Sequence, residues 1–382
     1  MKHIILKILV LLIIAWIQAE EILINKKIAF DINHSTFEIF SDSTYYILTN
    51  IANENYTEKK GAIAIIDKYG NVKKLIKIGT HNNYILSSTR LKNNHFLFVG
   101  YNKENNDEWN KLYVVKTDEK FNTIWEKSYG ALNSDSKGYS VVESNENEYW
   151  VLGHTKISKN GVLILKIDSN GNEKWFSYLP DLNCNFANNM IITNEKDLII
   201  SGQNSNKLFI SKINQKGEVL WQYDYFDDNK YHRIYDIKNT NNGGIIAVGN
   251  STLSQDYSYN ILLIKLTDDG NEEWKKSFGN KTNEVAYEVE QNNALEYVIA
   301  GYALVDKKDK LYNSFLIKTD SLGQQLQRLD FNSELMKNHK TSNQLYDIEI
   351  ELNDNGKDIY IGTGNIFNKK GNSEIWFLKT TF

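Results

Sequence analysis

The sequence predicts an all-β protein, a closed seven-bladed β-propeller of four-stranded blades, and three observations predict it. A short pattern recurs seven times between residue 61 and the last residue, 382: an alternating apolar run, a Lys and a Gly turn. Each unit holds four short extended stretches without a 3.6-residue period, as in 234–237, 245–249, 261–265 and 273–278. The last unit stops one strand short, and a spare strand stands ahead of the first.

From the N-terminus, Met1 to Ala19 has the layout of a secretory signal peptide. Lys2 and Lys7 precede an apolar stretch from Ile8 to Ile17, and Gln18-Ala19 lead into Glu20 and Glu21. The expected organisation is therefore a leader over 1–19 and a single propeller domain over 20–382, exported to the periplasm or the extracellular space. About ten apolar residues are too few for a comfortable membrane crossing. The alternative is an uncleaved N-terminal anchor, and no later segment has the length or apolarity of a span.

The spare strand is 22–30, and it is expected to complete the seventh blade and join the two ends of the chain. The repeat itself is marked by Lys116, Lys166, Lys212, Lys265, Lys318 and Lys379, with Ile65 in the equivalent place of the first copy. The markers lie 46 to 61 residues apart, the size of a blade. The second strand closes on Gly100, Gly153, Gly202, Gly249, Gly301 and, by the same pattern, Gly362. The turn after the third strand uses Gly70, Gly171, Gly217, Gly270 and Gly323, which supply positive φ at little cost, with Phe121 the exception. Nine residues after the marker stand Trp125, Trp175, Trp221 and Trp274, replaced by Lys74 and Gln327 in two blades. A large ring repeated at one blade position is expected to pack between neighbouring blades.

The set Asp168, Gly171 and Trp175 resembles the Asp-x-x-Gly-x-x-x-Trp blade repeat of secreted bacterial β-propellers, a group that overlaps with quinoprotein-like repeats. Asn214, Gly217 and Trp221, and Thr267, Gly270 and Trp274, keep the pattern with one change. Asp118 with Trp125, Asp67 with Gly70 and Asp320 with Gly323 keep two of the three. The regular Gly-His and Trp-Asp pairs of WD blades and the Gly-Gly of kelch blades are missing. The resemblance implies architecture; many members of the group have no assigned activity.

Composition narrows function further. The formal charge is −4, or −6 without the two leader lysines, and no basic tract is present, which argues against nucleic acid as a partner. Cys184 is the only cysteine, so no intrachain disulfide forms and core packing must hold the ring. Asn183 and Asn185 beside it offer no base to activate the thiol. A monomer is expected.

Counting 13 residues back from each second-strand Gly picks out one polar residue per innermost strand: Ser87, Ser140, Asn189, Asp236 and Glu288. The same count from Thr49 gives Thr36, and a turn taken as two residues longer gives Asp347 in the last blade. Val141, Met190, Ile237, Val289 and Ile348 follow them, and that alternation directs the polar set toward the central channel. Asp236, Glu288 and Asp347 form an acidic arc on three successive blades. Such an arc suits a cation, calcium above all, or a cationic ligand; the alternative is the polar wall of a water-filled channel. The tyrosines just before them, Tyr139, Tyr235, Tyr287 and Tyr346, are expected to pack between blades; at the same register the fourth blade has Asn188. At the channel mouth they would instead make a sugar-stacking surface. His81, His154, His232 and His339 have no ligand spacing, and no organic cofactor is expected.

The long connections 101–111, 251–260, 302–314, 332–343 and 363–374 fall on one face of the ring, and variable loops on a rigid frame suit recognition. The expected function is an exported binding or scaffold module that recognises a protein or a glycan through this face. The alternative is an enzyme, a hydrolase, a lyase or a quinoprotein-like activity, with Asp236, Glu288 and Asp347 at a channel-mouth active site.

Overall fold

A computed structural model describes residues 22–382 outside the segments 29–32, 42–43, 53–57, 104–108, 131–133, 146, 157–160, 180–185, 205–206, 228–230, 253–257, 280–282, 310, 332–341 and 368–372. The side chains of 33–41 and 145 also lie outside the description, as do the leader, Cys184, His339 and the tips of most of the long loops.

The apolar runs form strands because Ile, Val and Leu fill them on both faces. Strands at the centre of the sheets, such as Ile245–Thr252 and Tyr259–Leu266, are buried almost throughout. Among the described residues 28 strands make seven antiparallel sheets of four. Blades 1 to 6 each use four consecutive strands, starting from the inner strands Asn33–Ser41, Asn83–Arg90, Ser136–Asn145, Phe186–Ile192, His232–Asn239 and Glu284–Gln291. Blade 7 runs Ser342–Leu352, Asp358–Phe367, Ser373–Thr380, and its outer strand is Ile22–Ile28. The N-terminal strand thus closes the ring, with Lys26 opposite Phe377 and Ile28 opposite Ile375. Trp376 Nε1 donates to Asn25 Oδ1 at 2.9 Å, fixing the register of the closure.

One apolar cluster fills each of the seven blade-to-blade interfaces. The cluster between blades 7 and 1 holds Ile28 from the closing strand with Tyr45, Ile47, Ile361 and Phe377, so the seam is packed like the other interfaces.

The repeated turn residues act on the short-turn face. Asp168 Oδ1 accepts the N–H of Asn170 and of Asn172, both at 2.8 Å, and Asn214 and Asp320 cap their turns in the same way. Gly171 sits in these turns at φ 74°. The ring of Trp125 lies against it, and Trp125 Nε1 donates to Ser169 O at 2.8 Å, across the blade boundary. Three marker lysines are ion-paired within their own blades at this same end, Lys166 to Glu148 at 2.8 Å, Lys318 to Glu296 at 3.3 Å and Lys379 to Glu351 at 3.5 Å, while Lys116 reaches Tyr149 Oη of the next blade at 2.9 Å. The Trp and turn Gly of the repeat therefore join neighbouring blades, while its Asp shapes the turn within each blade.

Candidate functional site

Each inner strand carries one extra residue. In blade 5 Ile234 faces Gly249 and Asp236 faces Val248, so Tyr235 has no partner opposite. The same bulge recurs between Ile85 and Ser87, Gly138 and Ser140, Ala187 and Asn189, Ala286 and Glu288, and Leu345 and Asp347. The second-strand glycine exists for this bulge. A Cβ on Gly249 would strike the carbonyl oxygen of Arg233, and one on Gly301 that of Val285.

The bulge corrects three expectations. In blade 7 the glycine opposite it is Gly364, not Gly362, because both strands of that hairpin are extended. A Cβ there would strike the carbonyl oxygen of Gln344. In blade 1 the bulge lies between Thr36 and Glu38, so Glu38 and not Thr36 takes the equivalent place; the hairpin from Glu38 to Thr49 is two residues shorter than that from Ser87 to Gly100. Third, the extra residue breaks the two-residue alternation. Tyr139, Tyr235, Tyr287 and Tyr346 line the central cavity together with the polar residues that follow them, and Tyr235, Tyr287 and Tyr346 also pack on one another across the blade boundaries, as expected.

The cavity has a volume of about 760 Å³ and three tiers. The tier nearest the starts of the inner strands holds the bulged residues Leu86, Tyr139, Asn188, Tyr235, Tyr287 and Tyr346. The Tyr235 and Tyr287 ring centroids are 4.5 Å apart, and Tyr346 stands edge-on to Tyr287 at 5.1 Å. The second tier is the expected set Ser87, Ser140, Asn189, Asp236, Glu288 and Asp347. Two residues further along the same strands lie Thr89, Val142, Ile191, Lys238, Glu290 and Glu349.

Lys238 organises the acidic side. Its ammonium lies 2.5 Å from Glu288 Oε1 and 2.6 Å from Glu290 Oε1. Burial works against its charge, but Glu288, Asp236, Glu290 and Asp347 outweigh burial and hold its pKa above the usual lysine value. Asn189 Nδ2 donates to Asp236 Oδ1 at 2.8 Å, and the Val289 N–H donates to Asp236 Oδ2 at 3.2 Å. Burial nonetheless pushes Asp236 up to about 6, with Lys238 opposing and Glu290 adding to the rise. Burial, then Glu290, carries Glu349 to about 7, and burial with Asp236 raises Glu288. Among the described residues no group of three or more His, Cys, Asp or Glu is placed to hold a metal ion.

A second cavity of about 400 Å³ opens beside the first, between blades 5 and 6 at the long-loop end of their strands. It shares Arg233, Tyr235 and Tyr287 with the channel and adds Tyr259, Tyr302 and Tyr312, with Asn250, Asn283 and Gln203. The Arg233 guanidinium lies 4.7 Å from the Tyr235 ring centroid. His232 is buried in this wall, 4.6 Å from the Tyr225 ring. His154 lies 6.2 Å from Phe186 with the rings tilted by 51°, and His81 pairs with Glu126. Sequence reasoning missed Lys238, Glu290, Glu349 and the whole cleft. The first three were readable as the next inward positions on strands already placed.

No protein-family model matches the chain, and no curated protein matches it in sequence. Solved structures share the fold. A protein of unknown function from Dyadobacter fermentans superposes with a TM-score of 0.54 at 10% identity, covering 96% of this chain and 100% of that one. Drosophila Plexin A, solved in complex with Semaphorin 1b, gives 0.51 at 9% identity over 94% and 87%. At these identities the likeness is one of fold: an all-β, seven-bladed propeller, a scaffold used for surface recognition and for catalysis. Among the described residues no helix is long and apolar enough to cross a membrane.

Proposed function

We propose that the protein is an exported recognition module that binds a glycan at the tyrosine-walled cavities of its long-loop face. The observation that carries this reading is the bulge that brings Tyr139, Tyr235, Tyr287 and Tyr346 to the channel wall beside Asn188 and Asn189. A sugar ring presents an apolar C–H face and a hydroxyl rim, and aromatic faces interleaved with amides match both. A protein partner calls for roughly 800 Å² of contact on each side, whereas the distinctive chemistry here is concave. The leader pattern and the blade motif, which resembles that of secreted bacterial propellers, support export.

The test is an oligosaccharide array probed with the mature protein, followed by titration of each hit against Tyr287→Ala. Loss of about tenfold in affinity is expected for removal of a central stacking ring. Capture of a protein with no oligosaccharide bound would overturn the glycan reading. N-terminal sequencing of the exported chain should begin at Glu20.

A second reading has one observation in its favour. Asp236 at about 6 and Glu288 raised beside it are carboxyls held ready to carry a proton near neutral pH, as a hydrolase or lyase requires. New reducing ends released from a bound oligosaccharide, and abolished by Asp236→Asn, would make the module an enzyme.

A further inference from the structure

The two cavities differ in charge. The channel is lined by Asp236, Glu288, Glu290, Asp347 and Glu349. Among the described residues the cleft between blades 5 and 6 has Arg233 in its lining and no carboxylate, in a chain with 48 acidic residues. Arg233 is exposed at the ridge between them, and among the described residues its guanidinium meets the Tyr235 ring and forms no ion pair. Burial raises the phenols of Tyr139, Tyr235 and Tyr287, and the charge of Arg233 opposes that rise in all three, so its field covers tyrosines from three blades.

We propose that this cleft is the subsite for a carboxylate-bearing sugar, a uronate unit of an acidic oligosaccharide, with Arg233 as the partner of its carboxylate. This rests on the glycan reading and names the ligand class for it. Stacking on Tyr235 fixes the guanidinium plane and leaves its N–H edge for the planar, two-point grip that a carboxylate accepts. Tyr259, Tyr302 and Tyr312 line the cleft with aromatic surface, and Asn250 and Asn283 line it with amides, the two kinds of group a sugar ring and its hydroxyls call for. The volume of about 400 Å³ lies in the range of small-ligand sites. The channel carboxylates would repel an anionic unit, so it is directed to the cleft. The rest of the chain then crosses the shared wall of Arg233, Tyr235 and Tyr287 toward the channel mouth.

The probes are oligomers of galacturonate and of glucuronate, their methyl esters, and neutral galactan and glucan oligomers of the same length, titrated into the mature protein. Methyl esterification removes the charge and keeps the chain, so the first comparison needs no variant. The acid is expected to bind about tenfold or more tighter than its ester, the value of a charge-assisted hydrogen bond, and the advantage should shrink at high ionic strength. In Arg233→Gln the ratio of acid to ester affinity should fall to about one, and Arg233→Lys, which lacks the planar fork, should recover only part of it. An ester that binds as well as its acid, or a preference that survives Arg233→Gln, overturns the subsite while oligosaccharide binding itself keeps the glycan reading. Binding of none of these oligomers overturns the subsite, and the oligosaccharide array then decides the glycan reading by itself.

Discussion

Blades 2 to 4 and blades 5 to 7 build the channel wall with one backbone device and opposite chemistry. All six use the same bulge with a glycine opposite. On the first side the two deeper tiers read Ser87, Ser140, Asn189 and Thr89, Val142, Ile191; on the second they read Asp236, Glu288, Asp347 and Lys238, Glu290, Glu349. The frame therefore dictates where side chains point and leaves their charge free. Five carboxylates with one ammonium among them are an electrostatic cost that the neutral side does not bear, and one lysine holds much of it in check.

The largest expected effect removes what both sides share. Deleting residues 22–28 leaves blade 7 without its outer strand and takes Ile28 from the seam with blade 1. Stability should fall by more than about 5 kcal/mol, comparable to that of a whole domain. Both halves should be lost in one transition. An unchanged thermal midpoint would show that closure does not hold the ring.

Lys238→Met separates the halves. Removing the ammonium leaves Glu288 and Glu290 facing Asp236 with no counter-charge, and breaking such a pair costs about 3 kcal/mol when buried. The expected loss is about 2 kcal/mol, because Lys238 keeps 34% of its side-chain surface accessible. Thr89→Val, the matching position on the neutral side, should change stability by less than about 0.5 kcal/mol. Denaturant unfolding at neutral pH reads both, and equal costs would erase the distinction. Calcium should raise the thermal midpoint of the Lys238→Met protein more than that of the parent, since an added cation can then take the place of the ammonium.

The sequence made the ring legible because its signals are local. Asp168, Gly171 and Trp175 sit in one turn, and the period of their copies counts the blades. Even the closure could be read, since a missing strand at one end matched a spare strand at the other. The site was less legible because it depends on register. The bulge marks the partner strand, through the glycine opposite it, and leaves no fixed residue type on the bulged strand itself, so Tyr235 and Asp236 read as opposite faces although both line the channel. Hairpin length shifted the count at both ends of the ring and hid Glu38 and Gly364. The cleft is assembled from Asn250, Asn283 and Tyr312 on separate strands and loops, and no short motif records that meeting.

The smallest effect is a pH dependence confined to the acidic half. Asp236 stands at about 6 and Glu349 at about 7 in the folded ring, above the roughly 4 of unfolded carboxyls. The folded state thus binds more protons between these values, and the stability these groups contribute is present below about pH 4 and lost as pH rises through 6 and 7. The groups that face Asp236 set this window: Lys238 on its own strand, Glu288 and Glu290 from blade 6, Asp347 from blade 7 and Asn189 from blade 4. Glu148 behaves oppositely. Lys166 and Lys174 hold it down at about 2, so its contribution is present above pH 4 and lost toward 2. Stability should therefore peak near pH 4 to 5 and decline toward pH 8. Asp236→Asn removes one titrating group and should flatten that decline, while Ser140→Ala on the neutral side should leave its slope unchanged. A parent protein more stable at pH 8 than at pH 5, or an Asp236→Asn curve parallel to it, would mean that the carboxyls of the channel are fully ionised and that Lys238 neutralises the arc more completely than its two short contacts imply.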